Sequence, residues 1–154
     1  PDVKAGTLHM SSVVLGTRLE VAARGDRNPL VSEGQALIPN IGHVVSSAQP
    51  LYFYYEVYEP GRAGAGQGAG VVRGRTGGSI RLMTSVSFFR GTVRAFETPA
   101  VEVTQANGAN GKAIFRFSVP AASLPPGLYT CQINVIDDVA AAFLFPRMSL
   151  LVRK

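Results

Sequence analysis

Apolar and polar residues alternate with a period of two from one end of this 154-residue chain to the other. No segment longer than a turn repeats apolar residues at the helical spacing of i, i+3, i+4 and i+7. Because successive side chains of a strand point to opposite faces, such alternation indicates strands that bury one face each. The chain is therefore expected to be an all-β protein.

The strongest predicted strand is residues 51–58, LYFYYEVY, which is aromatic and β-branched and contains no glycine or proline. Alternation divides it into an inner set, Leu51, Phe53, Tyr55 and Val57, and an outer set, Tyr52, Tyr54, Glu56 and Tyr58. Three phenols are thus expected in a row on one surface.

Other segments repeat the pattern and are separated by turns. Residues 80–90 and 92–97 alternate on either side of Gly91, which predicts a hairpin. Residues 113–119 form a further alternating strand. The polar residues 24–34 are expected to form a loop.

The most specific fold signal lies near the C-terminal end. Leu124, a Pro-Gly turn ending at Gly127, and Tyr129 entering an alternating strand have the form of a tyrosine corner, in which the phenol bonds back to upstream backbone. The last predicted strand, residues 143–152, is interrupted by Pro146. Since proline cannot donate to a ladder, that strand is expected at an edge or with a bulge.

These signals predict an immunoglobulin-like or fibronectin-III-like antiparallel β-sandwich of about seven to nine strands. One domain is expected over residues 1–154, with residues 1–16 as a leading strand or extension. Residues 61–79 are rich in Gly, Ala and Arg and are expected to form a flexible loop with little to bury. The chain begins without an initiator Met or an apolar signal core, which suggests a processed product or a fragment.

Several motifs together resemble the C-terminal β-sandwich region of acidobacterial-type von Willebrand factor A related secreted proteins. The matching segments are residues 28–30 (NPL), 37–40 (LIPN), 49–58 (QPLYFYYEVY), 124–137 (LPPGLYTCQINVID) and 143–147 (FLFPR). In that family an A domain carries an Asp-x-Ser-x-Ser metal-adhesion motif, and this sequence lacks it. Ser11 and Ser12 follow His9-Met10, with no Asp at the required position. The resemblance implies export from a bacterium and a role as a surface or extracellular interaction module.

Composition limits the chemistry further. Cys131 is the only cysteine, so the chain forms no intrachain disulfide, and its place in an alternating strand predicts a buried apolar side chain. The net charge is +5, from 15 basic and 10 acidic residues, and 12 of the 15 basic residues are Arg. Such a surface favours acidic partners or polyanionic glycans, although a GC-rich genome produces the same bias. No apolar run is long enough to cross a bilayer.

No catalytic or metal-binding pattern stands out. His9 and His43 are the only histidines, and no nucleophile elbow accompanies them. Asp137-Asp138 is interpreted as a turn, with a calcium site as the less favoured alternative. Glu56 and Glu59 are interpreted as solvated edge charges. Residues 64–70 lack the strand-to-helix context of a phosphate loop.

The sequence therefore predicts a non-enzymatic protein with no cofactor, no metal and no nucleic-acid partner. The candidate interaction surface is Tyr52, Tyr54 and Tyr58 with Arg73 and Arg75, while Leu124, Gly127 and Tyr129 are structural. One hypothesis is a secreted or cell-surface structural or adhesive module that binds envelope proteins or copies of itself through terminal or edge strands, forming oligomers or fibres. The alternative is an accessory domain that binds a carbohydrate or a partner protein on the tyrosine face or the Gly/Arg loop.

Overall fold

The computed structural model describes residues 7–63, 71–72 and 78–154. These residues form strands and two single-turn 3-10 helices, Ala109–Gly111 and Ala121–Ser123, and none of their helices is long and apolar enough to cross a membrane. The strands are β1 (His9–Met10), β2 (Val14–Val21), β3 (Val31–Ser32), β4 (Gln35–Pro39), β5 (Val44–Ser46), β6 (Pro50–Tyr58), β7 (Arg62–Ala63), β8 (Val71–Val72), β9 (Leu82–Arg90), β10 (Val93–Glu97), β11 (Val101–Val103), β12 (Ala113–Pro120), β13 (Gly127–Asp137), β14 (Ala142–Leu144) and β15 (Arg147–Arg153).

The first sheet is built around β6. Strand β12 pairs with β6 along one edge over its whole length, while β1 and β2 pair with opposite ends of the other edge. Beyond β2 the order continues through β4 to β3. All these pairs are antiparallel.

The second sheet is built around the β9–β13 pair, which runs in register from Leu82↔Asp137 to Phe89↔Thr130. Strands β10 and β11 pair with the free edge of β9, and β14 and β15 pair with the free edge of β13. The short strand β5 adds to β15 in the parallel direction. The sheet is therefore mixed, whereas the sequence predicted antiparallel pairing throughout.

One apolar core lies between the two sheets, in a sandwich-like all-β arrangement. The inner set of β6 predicted from alternation, Leu51, Phe53, Tyr55 and Val57, is at most 1% exposed. The corresponding prediction for residues 80–90 is also confirmed, since Ile80, Leu82, Val86 and Phe88 are all buried. Gly91 lies between β9 and β10, which form the predicted hairpin.

One polar bridge crosses this core. The Tyr55 hydroxyl of the first sheet hydrogen-bonds the Thr84 hydroxyl of the second, and Thr84 Oγ1 donates to the Asn134 carbonyl at 2.7 Å. Burial raises the pKa of Tyr55 above its usual value, so the phenol stays protonated. Cys131 is buried in the same core, as its place in the strand predicted, and burial raises its thiol pKa to about 12.

Several loops differ from the sequence prediction. The segment 24–34 contains β3, which turns back on β4 as a hairpin. In the predicted loop 61–79, β7 pairs with β8, and Arg62 is buried, with its guanidinium donating to the Gly111 carbonyl at 2.7 Å. The remainder of that loop, residues 64–70 and 73–77, lies outside the described residues, as do residues 1–6 of the leading segment.

The predicted turn at Asp137-Asp138 contains one buried and one exposed carboxylate. Asp137 is fully buried, and its carboxylate accepts hydrogen bonds from the Gly61 amide at 2.6 Å and the Ala140 amide at 3.0 Å. A side chain at position 61 would collide with Ala140, so glycine is required there by close approach. Asp138 is exposed and pairs with Arg81 at 2.9 Å. The carboxylate thus fastens the end of β6 to the β13–β14 turn.

The Tyr129 corner provides a stability test. Tyr129 is buried, and its hydroxyl donates to the Pro125 carbonyl at 2.5 Å, four residues upstream. Tyr129→Phe removes this bond while keeping the ring, and we expect it to lower the free energy of unfolding by about 1 kcal/mol. For a chain of this length that loss lowers Tm by roughly 2–4 °C, measurable by calorimetry. An unchanged Tm would show that the bond does not contribute.

Candidate functional site

The tyrosine stripe lies on the outer face of β6, but the structure covers much of it. Tyr54 is only 5% exposed, and Tyr52 and Tyr58 are half-buried. The Tyr58 ring stacks on His9 with centroids 5.0 Å apart. The stripe is therefore not a continuous open surface of phenols.

Glu56 is the centre of a hydrogen-bonded cluster on this face. Its carboxylate accepts hydrogen bonds from the Tyr54 and Tyr58 hydroxyls, one on each oxygen. Lys112, on the turn before β12, donates to Oε1 at 2.8 Å. The carboxylate is 6% exposed, so the interpretation of Glu56 as a solvated edge charge is wrong.

The Glu56 carboxylate can be buried and still ionised because hydrogen-bond donors surround it. Burial alone would raise the pKa of the Glu56 carboxyl, but the hydrogen bonds from Lys112 and the two phenols outweigh burial and lower that pKa to about 2. Burial and the bond to Glu56 raise the pKa of Tyr54, and the bond to Glu56 also raises that of Tyr58. The cluster therefore carries a fixed carboxylate and two protonated phenols at neutral pH.

The β3–β4 hairpin and Arg116 cover the Tyr54 end of the stripe. The Arg116 guanidinium lies 5.3 Å from the centre of the Tyr54 ring, and one of its nitrogens lies 3.5 Å from the Pro29 and Val31 carbonyls. A cavity of about 260 Å³ remains beneath, lined by Leu19, Leu30, Ser32, Glu33, Gln35, Leu37, Tyr52, Phe53, Tyr54, Arg116, Phe117 and Ser118. The cavity thus lies next to the main core, since Phe53 belongs to that core and Phe117 packs against it.

The outer face of the second sheet carries a polar network that sequence reasoning missed. The Asn134 amide donates to the hydroxyls of Ser85 at 3.0 Å and Ser87 at 2.8 Å, and its oxygen accepts from Gln132 at 2.7 Å. Ser85 in turn donates to Glu97 at 3.0 Å. Alternation predicts that these side chains share a face, but no local signal predicts that their polar groups bond one another.

This network forms part of an open groove of about 440 Å³. Arg94 pairs with Glu97 at the groove, and Arg147 donates to the Gln132 oxygen at 2.8 Å. The lining residues are Met83, Thr84, Ser85, Ser87, Phe89, Arg94, Glu97, Ala100, Gln132, Asn134, Ile136 and Phe145. Phe145 is 46% exposed and stacks on Phe143, which is 66% exposed. Aromatic and aliphatic side chains therefore flank a polar floor.

A third surface is the free edge of β12. The Asn107 side chain accepts from the Ile114 amide at 2.6 Å and donates to the Ile114 carbonyl at 2.9 Å. Ile114 faces Glu56 in the ladder. The Glu56 amide donates to the Ser11 hydroxyl and the Glu56 carbonyl accepts from the Ser11 amide, so both backbone groups of Glu56 point away from β12. The Ile114↔Glu56 pair is therefore a non-hydrogen-bonded pair of the β6–β12 ladder.

Because such pairs alternate along an antiparallel ladder, the backbone groups of Arg116 and Ser118 also point to the free edge. Within the described ranges no backbone or side-chain group pairs with them. Beside this edge lies an apolar cleft of about 250 Å³ between the two sheets, lined by Phe96, Thr98, Pro99, Val101, Phe117, Ser118, Val119 and Pro120. The edge thus offers hydrogen-bonding groups next to a space for apolar side chains.

The sequence also singled out two arginines of the candidate surface and two histidines. Arg73 and Arg75 of the candidate surface lie outside the described residues. His9 belongs to the first sheet, whereas His43 precedes β5 of the second. Among the residues that the structure describes, no three His, Cys, Asp or Glu side chains are grouped so as to hold a metal ion.

No protein-family model matches the chain, and no curated protein matches it significantly.

The Glu56 cluster predicts a specific acid sensitivity. Since the folded-state pKa of about 2 lies below the usual 4.5, the stabilisation is complete above pH 4.5 and is lost as the pH falls towards 2. The contribution at neutral pH is about 3 kcal/mol. We expect Glu56→Gln to lower the free energy of unfolding by about that amount at pH 7 and much less at pH 2, measured by urea unfolding.

The matched control is Glu20→Gln, which removes an exposed carboxylate paired with Arg18 at 2.7 Å. Exposed pairs contribute at most about 1 kcal/mol, so its effect should be small at both pH values. A Glu56→Gln effect independent of pH would contradict the assigned ionisation.

Proposed function

We propose that this chain is a non-enzymatic structural or adhesive module that joins other proteins, including copies of itself, by accepting a strand at the free edge of β12. The observation that carries the proposal is the edge at Arg116 and Ser118, which no residue of the described ranges pairs with and which lies beside an apolar cleft. Strand addition uses main-chain hydrogen bonds for affinity and pockets for alternate side chains for specificity. Both components are present on this edge.

The form of the edge favours an extended strand as the partner rather than a flat protein surface. Its unpaired amide and carbonyl groups belong to residues two apart, as in the ladder partner of an extended peptide. The cleft beside it is lined mainly by apolar side chains, among them Phe96, Val101, Phe117 and Val119. A peptide with apolar residues at alternate positions would bury them there while its backbone extends the first sheet.

We further propose an immunoglobulin-like or fibronectin-III-like sandwich that functions in the secreted fraction or at the surface of a bacterium. The two facing sheets and the Tyr129 bond to Pro125 support the fold proposal. The resemblance to the secreted von Willebrand factor A related proteins supports the location. Its envelope partners would then be other exported proteins.

The alternative, an accessory domain with a ligand on the tyrosine face, has weaker support. Tyr54 is buried beneath Arg116, and the Tyr58 hydroxyl is bonded to Glu56. A ligand on the stripe would have to displace these contacts. The tyrosines instead support β6 from its outer side.

Proline substitution tests the edge directly. Ser118→Pro removes an outward-facing amide without removing a bond to β6, a position where strands tolerate proline. We expect it to reduce self-association or partner capture at least tenfold, measured by light scattering after size-exclusion chromatography and by pull-down from envelope extracts. Ser118→Ala, which loses the same hydroxyl but keeps the amide, should behave like the wild type.

Thermal unfolding separates this effect from misfolding, since both Ser118 variants should remain folded with similar Tm. A wild-type chain that stays monomeric at high concentration and captures no partner would overturn the proposal. Equal assembly by the proline and alanine variants would also overturn it.

Substitution of Asn107 should increase self-association, whereas Ser118→Pro should reduce it. Its amide occupies the edge position at Ile114 as a short strand mimic, which shortens the edge open to other chains. We expect Asn107→Ala to increase the rate of self-association several-fold, followed by light scattering over time. Asn28→Ala, which removes an exposed loop amide, is the control; an equal rate in both variants would contradict the edge-protection role.

A further inference from the structure

We propose that the groove on the outer face of the second sheet binds a saccharide that carries carboxylate groups. This inference is independent of the edge proposal, because the groove lies on β9 and β13 and shares no lining residue with the β12 cleft.

The floor of the groove matches sugar hydroxyls. It presents two serine hydroxyls, two side-chain amides and the Glu97 carboxylate in one connected network. That network fixes the orientation of each group before a ligand arrives, which reduces the entropy lost on binding. Ser87 accepts from Asn134, and its own hydroxyl hydrogen has no acceptor in the described part of the chain.

Aromatic side chains supply the apolar contact that sugar rings need. Phe89 lines the groove opposite Thr130 and Arg94 in the strand register, and Phe145 lines it from the β14 side. Their faces offer large rigid surfaces at low entropic cost.

Charge selects an acidic sugar over a neutral one. Glu97 is the only carboxylate among the lining residues, and Arg94 neutralises it. Arg147 is exposed at the groove margin through its bond to Gln132, and no carboxylate of the described ranges pairs with it. The margin of the groove, next to the lining residue Gln132, therefore holds a guanidinium whose planar donors suit bidentate binding of a carboxylate.

A flat protein partner fits this groove less well. The two serine hydroxyls and the Asn134 amide lie recessed in the floor, and a flat apolar protein surface laid over the rim would leave water beneath it. A chain of sugar rings can enter the groove and offer hydroxyls to the floor at the same time. The aromatic rim and the recessed polar floor together favour the saccharide.

The experiment is a titration of ¹⁵N-labelled protein with short oligomers of galacturonate, of alginate and of hyaluronan, followed by NMR. We expect shifts of the Ser85, Ser87 and Gln132 amides. Fully methyl-esterified galacturonate, with the same rings and no charge, should bind at least fivefold more weakly. Binding of the acidic oligomer should also weaken with added salt.

Variants assign the contacts. Phe145→Ala should weaken binding about tenfold, and Arg147→Gln should abolish the preference for acid over ester. Leu151→Ala changes an exposed apolar residue of β15 that lies outside the groove, and this variant should bind as the wild type does. Because all three positions are exposed, their Tm values should stay close to that of the wild type.

The proposal is overturned if none of the three acidic oligomers shifts the groove amides at millimolar concentration. It is also overturned if the ester binds equally, or if binding persists unchanged in Phe145→Ala and Arg147→Gln. Groove shifts that follow protein concentration and not added sugar would assign the face to a protein interface instead.

Discussion

Strand β6 is the element on which the rest of the first sheet depends, because β12 pairs with one of its edges and β1 and β2 pair with the other. Its inner side chains fill the core, and its outer side chains Tyr54 and Glu56 are buried as well. A strand buried on both faces must satisfy polar groups on both. The Tyr55–Thr84 bond does so inside the sandwich, and the Glu56 cluster does so outside it.

The outer cluster also gives a physical reason to propose the second sheet, and not this face, as a binding surface. A buried carboxylate is tolerated only with close donors, and Lys112 and the two phenols provide them. A ligand that took one of these donors would leave the buried carboxylate with fewer hydrogen bonds, which costs free energy. The second sheet has no such charge at its centre: Asn134 is neutral, and Glu97 lies near the sheet margin with Arg94 beside it. Its polar groups are therefore easier to share with a ligand.

Sequence alternation predicted the all-β class and the inner sets of β6 and of residues 80–90, because strand side chains alternate whatever the tertiary fold. It did not predict the partners of the outer sets. The spacing of Tyr54, Glu56 and Tyr58 places them side by side, but Lys112 reaches them only through the β6–β12 ladder. Likewise, Asn134 meets Ser85 and Ser87 only because β9 and β13 pair in one register. Contacts between residues about 50 positions apart have no local signature.

An unpaired strand edge can pair with strands of many other proteins unless part of it is blocked. On β12 the Asn107 amide bonds the Ile114 end and Pro120 lacks an amide at the other, so within the part of the chain that the structure describes only Arg116 and Ser118 remain open between them. Two open residues offer at most four main-chain hydrogen bonds, each of which contributes about 1 kcal/mol net. That is too little to hold an arbitrary strand, since association itself costs several kcal/mol. The cleft side chains must therefore contribute the remainder, which restricts the edge to strands whose alternate residues fit between Phe96 and Phe117.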